Sequence, residues 1–280
     1  MGGGGAARAG SVGRRGAVRT GPAPRVLFLH GGPGMTAELE RRRFERGLPV
    51  HWWDQPAVPA GAVRPLDMLL DAASAEISRL HDRCHRRIGL LASAFGAYLA
   101  RALLERVPDL IGPITICSGL WELSSAILRL GSRFALRSGD SDLENACRLA
   151  AETDTPQAYF ALFARVSALP GFLECCWRFP AGELREAVKA LAAEGRLINW
   201  STCQAVMTAA LAAPQAPAPV RQQQPTRIIL GRFDPHFDYG DIVVCRRLWP
   251  GASVRVVEAG PLPHLELPPP VWMPDVSGTS

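Results

Sequence analysis

IGLLASAFGAYLARALLERVPDL, residues 88–110, changes its periodicity at a single point. As far as Ala94 it is a continuous apolar run, the signature of a strand buried on both faces. From Phe95 onward the apolar residues fall at helical spacing. The join contains Ala92, Ser93, Ala94 and Gly96. A strand that turns at once into a helix needs small side chains two residues on either side of its apex, because the backbone there is sharply bent.

The same alternation recurs outward from this point. RVLFLHGGPG reads as a strand entering a glycine-rich loop, and LPVHWWDQP as a second strand halted by Pro56. PLDMLLDAASAEISRLHDRC is helical in spacing, and IGPITICSG is again a strand. TRIILGRFDP and SVRVVEAG are further strands on either side of a helix around GDIVVCRRLW. The expected class is α/β, with a mostly parallel central sheet flanked by helices. Between residues 119 and 213 the rhythm stops. LWELSSAILRLGSRFAL, LENACRLAAE, TPQAYFALFARVSALPG, ELREAVKALAAEG and WSTCQAVMTAALAA all read as helices. The expected organisation is a disordered Gly/Arg-rich tail over 1–24, a core over 25–118 and 225–268, and a helical cap over 119–213. A Pro/Gln-rich linker over 214–224 and a proline-rich tail over 269–280 complete it. That last tail is expected not to be helical.

Length and composition set bounds. A chain of 280 residues with 48% hydrophobic and 20% charged residues is long enough for one large core. No apolar run reaches the ~18 residues of a membrane span, and the N-terminus has no apolar signal core. Arg8, Arg14, Arg15, Arg19 and Arg25 precede the first acid, Glu38, and equal the whole net charge of +5. The body is therefore formally neutral. Nucleic-acid binding is not expected, because basic and aromatic residues are not interleaved. Membrane association is expected only through the basic tail or a partner. Cysteines 84, 117, 147, 175, 176, 203 and 245 form no CxxC and no metal-like spacing with histidine. Their odd number, without a secretion signal, points to reduced thiols in the cytoplasm. No metal and no cofactor is expected. Lys189, the only lysine, lies on an apparent surface helix and is the sole Schiff-base candidate.

The HGGPG loop after a strand, the elbow at 92–96 and the later strand-Gly-x-x-Asp segment together resemble the α/β-hydrolase superfamily. The glycine loop is similar to that of its proline-iminopeptidase-like branch. The resemblance covers roughly residues 24–119 and 225–268, with the helical insertion where such proteins carry a cap. It implies that Gly31 or Gly32 supplies a backbone N–H to an oxyanion hole and that Phe95 N–H supplies a second. It implies that His30 braces the loop. WDQP resembles a D-Q-R segment, with Asp54 and Gln55 matching and Pro56 replacing arginine, and is expected to pack beneath the site.

Against that pattern the triad is incomplete. The small-x-Ser-x-Gly elbow reads Ala92-Ser93-Ala94-Phe95-Gly96, so the nucleophile position holds a methyl group that cannot attack. Moving the role to Ser93 would spoil the spacing to Gly96. IILGRFDPHFD places Asp234 at the acid position. EAGPLPHLELP, in a register fixed by Glu266 and Pro268, places Pro261 where the resemblance implies the catalytic histidine. His264 and His236 are the remaining imidazoles near that end. A buried Asp234 without an imidazolium partner is expected to have a raised pKa and to suit general-base work. The sequence therefore leads us to expect non-hydrolytic proton transfer: epimerisation, isomerisation or cyclisation of a peptide or acyl substrate in a biosynthetic pathway. The expected catalytic residues are Asp234, His264 and His236, acting alone or with a partner subunit. Two other readings stay open: a non-catalytic pseudoenzyme that serves as a binding or regulatory subunit, and a serine hydrolase inactivated by a Ser-to-Ala substitution at position 94. Phe160, Phe163, Trp177 and Trp200 of the cap are read as core residues that also border a cleft.

Overall fold

In the computed structural model six strands form one sheet, ordered β2-β1-β3-β4-β5-β6, with every neighbouring pair parallel. They are β1 (Val26–Leu29), β2 (Val50–Trp52), β3 (Ile88–Ser93), β4 (Ile111–Cys117), β5 (Thr226–Gly231) and β6 (Ser253–Val257). The residues described are Met1, 24–44, 47–173, 182–213, 219–221 and 224–277. The tail expected to be disordered, most of the 214–224 linker, Cys175, Cys176 and Trp177 lie outside them.

The apolar side chains of each central strand divide alternately between two cores, as the two-residue strand period requires. Leu27, Leu29, Leu90, Ala92, Ile114, Ile116, Ile228 and Leu230 enter the larger core. Val26, Phe28, Leu91, Cys117 and Ile229 face the other way, into a smaller one. The larger core is covered by α2 (Pro65–Cys84), α3 (Gly96–Arg106) and α9 (Gly240–Leu248). The smaller is closed by α1 (Glu38–Phe44) and the C-terminal residues, with Phe44 against Trp272 at a ring separation of 5.3 Å.

One expectation fails at that closure. Within the proline-rich tail α11 (Pro269–Trp272) is helical, following another short helix, α10 (Pro263–Glu266), at the end of the core segment. Proline is tolerated in a first turn, where its missing N–H has no intrahelical acceptor in any case. Arg227 then caps α11 from β5, donating to the Val271 and Met273 carbonyls at 3.2 and 3.0 Å. Trp272 is fully buried, and its indole N–H donates to the Leu267 carbonyl.

Between β4 and β5 the described residues form only helices: α4 (Leu123–Ser138), α5 (Ser141–Thr153), α6 (Pro156–Ser167), α7 (Gly182–Ala193) and α8 (Trp200–Ala212). Three of them begin at side-chain caps that satisfy an otherwise unpaired first-turn N–H. Asp140 accepts from Leu143, Thr155 from Ala158 and Asn199 from Thr202. The layer is tied to the sheet at Gly34, whose carbonyl accepts from Asn199 N–H at 2.8 Å. Gly34 has φ +80°, and a Cβ there would collide with the Asn199 carbonyl. Only glycine allows that approach.

Candidate functional site

The turn after β3 keeps the geometry of an elbow. Ala94 has φ +45°, in the left-handed region that an L-residue other than glycine enters at a cost. Its N–H is held by the Cys117 carbonyl at 3.1 Å, and its carbonyl accepts from Leu120 N–H. Immediately after it, Gly96 presses on β1: an added Cβ would overlap the Leu29 carbonyl. The small residues of the motif are thus a steric necessity. The apex itself bears only a methyl group.

Asp234 stands just beyond β5. It is buried, and its pKa is raised chiefly by desolvation, with His236, Ser118 and Arg133 acting in the opposite sense. Its Oδ1 accepts from the His236 backbone N–H at 2.8 Å. The His236 ring contacts the Ala126 carbonyl through Nδ1 at 3.4 Å. A carbonyl only accepts, so Nδ1 is the donating nitrogen of this contact. Two arginines one turn apart on α4 hold this loop. Arg133 donates to the Asp234 and Phe237 carbonyls at 3.0 and 2.7 Å, and Arg129 donates to the His236 carbonyl at 2.9 Å and pairs with Asp241 at 3.1 Å.

Asp234, His236, Ala94 and Pro261 border one cavity of about 150 Å³, beneath the helical layer and above the strand ends. Phe163, Phe172, Ile198 and Met207 supply apolar wall from that layer. Ligands of open parallel sheets bind in such a crevice, outside the carboxyl ends of the strands.

This architecture has solved counterparts. A proline iminopeptidase-related protein from Thermus thermophilus superposes with a TM-score of 0.58 at 22% identity, over 85% of this chain and 82% of that one. An esterase from Thermogutta terrifontis gives 0.53 at 19% identity, over 90% and 88%. An epoxide hydrolase from Bacillus megaterium gives 0.54 at 16% identity, over 90% and 91%. The chain has the α/β-hydrolase fold. No protein-family model matches the sequence, and none of the curated proteins does.

Within the α/β-hydrolase fold, the residues expected at the site divide. Gly31, Gly32, Phe95, His30, Asp234 and His236 all border the cavity. His30 Nε2 accepts from Gln55 N–H at 3.2 Å, and its carbonyl accepts from the Gln55 side chain at 3.2 Å. Burial lowers the His30 pKa to about 4. The expected donation by Phe95 fails, because its N–H is taken by the Gly31 carbonyl at 2.9 Å. The glycine loop folds back over the start of α3 and satisfies one of the helix's unpaired N–H groups. Ser93 is fully buried, does not border the cavity, and its hydroxyl has no hydrogen-bond partner among the described residues. His264 is also fully buried and outside the cavity wall. Its Nε2 meets Glu40 Oε1 at 2.9 Å, and its ring packs against Phe28 and Trp272.

Glu40, Arg129 and Arg133 were not anticipated. In ELERRRF, residues 38–44, Glu40 looks like one more surface charge, and its burial depends on a histidine 224 residues away. Arg129 and Arg133 gave a faint signal, two cations four residues apart on an otherwise amphipathic helix. Among the described residues no group of three or more His, Cys, Asp or Glu side chains is placed to hold a metal ion. No described helix is long and apolar enough to cross a membrane.

Proposed function

We propose that this protein catalyses non-hydrolytic proton transfer on a small peptide or acyl molecule, in the manner of an epimerase, isomerase or cyclase serving a biosynthetic pathway in the cytoplasm. The supporting observation is the pairing of His236 and Asp234 at one cavity wall, opposite an elbow that carries Ala94. In this reading His236 Nε2 removes a proton from carbon next to a carbonyl, because the Ala126 carbonyl fixes the proton on Nδ1. Asp234, with its raised pKa, is the group that holds or returns a proton as the product forms. Covalent acyl transfer has no support at Ala94 and Pro261, which offer neither nucleophile nor imidazole.

The test uses N-acetyl-leucinamide in D2O, with its α-proton followed by NMR. The expected result is exchange catalysed by the intact protein, lost in Asp234→Asn and His236→Gln and kept in Ser93→Ala. Release of acid or amine from aryl esters and proline aryl amides overturns the proposal. So does exchange that survives both substitutions.

A second reading, a non-catalytic binding subunit, is favoured by one observation: Phe95 N–H is already engaged by Gly31. A catalyst building up charge on a carbonyl oxygen needs that donor free. Stable co-purification with a second chain, together with absent exchange, is the expected outcome of this alternative.

A further inference from the structure

We infer that the cavity receives a small apolar molecule bearing a positively charged nitrogen, and that Glu40 is the group that binds that charge. This rests on the cavity being the ligand site, as the preceding reading takes it, and not on the chemistry assigned to it there.

The cavity is bordered by two carboxylates, Glu40 and Asp234, and by no lysine or arginine among the described residues. The two acids are provided for differently. Asp234 has the His236 N–H and the Ser118 hydroxyl, and lies beside Arg133. Glu40 is 6% exposed and has one hydrogen bond among the described residues, from His264. His264 Nδ1 is buried without a partner among the described residues. The contact from His264 engages one carboxylate oxygen, Oε1, and leaves the other for a ligand. Arg41, the next residue, is engaged by Asp54 at 2.9 Å and by the Trp52 carbonyl at 3.0 Å. A buried carboxylate at the cavity, held by one histidine and with no lysine or arginine on the lining, has room for a further donor. A ligand ammonium completes it with a charge-assisted hydrogen bond.

The remaining wall fixes the rest of the ligand. Leu39, Leu120, Phe163, Phe172 and Ile198 present apolar surface. At about 150 Å³ the space is below the ~300–1,000 Å³ of sites for drug-sized ligands, so the apolar body is small. Anionic ligands meet two acids and are rejected.

The experiment titrates the full chain at pH 7 with three probes of one shape: benzylammonium, benzyl alcohol and benzoate. Calorimetry or ligand-observed NMR reads binding without requiring turnover. Benzylammonium is expected to bind at least about tenfold more tightly than benzyl alcohol, and benzoate not measurably. Glu40→Gln is expected to lower benzylammonium affinity at least about tenfold and leave benzyl alcohol unchanged, while Asp234→Asn keeps most of the preference. Equal binding of amine and alcohol by the intact protein overturns the inference. So does failure of benzylammonium to saturate at millimolar concentration, or a preference that survives Glu40→Gln. The probe series on the unaltered chain stands even if Glu40→Gln fails to fold. Amine preference without proton exchange leaves this inference intact and counts against the catalytic reading; exchange without amine preference does the reverse.

Discussion

Ala94 holds a left-handed backbone that its side chain does not favour, and no reactive atom compensates for the strain. Glycine adopts this conformation freely but has more freedom to lose on folding. Relief of the left-handed penalty, about 1–2 kcal/mol, exceeds that loss. Ala94→Gly is therefore expected to stabilise the protein by about 0.5–1 kcal/mol, read from the midpoint of urea unfolding. His30 supplies a second prediction. Its pKa falls from 6.5 to about 4 on folding because the buried ring resists charge. Between those values the unfolded chain binds more protons, so stability rises with pH. As pH drops from about 6.5 toward 4, this residue alone is expected to withdraw about 3 kcal/mol. The pH dependence of urea unfolding, compared with His30→Gln, measures that slope. At this scale the sequence was informative wherever chemistry is local. The methyl at 94, the proline at 261 and the carboxylate at 234 are legible as letters. The direction of the Gly31 carbonyl and the partner of His264 are not, because peptide orientation and long-range pairing leave no trace in spacing.

At the scale of elements, α4 is both a wall of the helical layer and the clamp on the loop after β5. Each Arg133 guanidinium nitrogen reaches a different carbonyl, Asp234 and Phe237. Arg133→Ala removes two charge-assisted bonds and is expected to cost about 2 kcal/mol. Faster hydrogen exchange at the Phe237 amide, which donates to the Asp234 carbonyl, should accompany the loss. Arg133→Lys is expected to recover less than half, since one ammonium cannot span both acceptors. The strands and longer helices were readable from periodicity, because continuous apolar runs mark strands buried twice and helical spacing marks one buried face. The short C-terminal helix at Pro269–Trp272 was not. Proline content argued against it, whereas Arg227 on β5 and the burial of Trp272 supply what local propensity lacks.

For the whole molecule, the α/β-hydrolase fold positions the loops after β1, β3, β4, β5 and β6 around one space that the helices between β4 and β5 cover. The alternation of strands and helices marks a parallel sheet covered by helices, which is why the architecture was readable before the site was. The site depends on contacts between residues far apart in sequence. The pairing of Glu40 with His264 joins residues 224 positions apart, across most of the chain. During synthesis the wall bearing Glu40 leaves the ribosome early and waits for its imidazole until almost all the rest has followed. Such distant closures are slow to form. A nascent chain halted within β6 would already hold nearly all of the sheet, yet the wall of its cavity would still be unfinished.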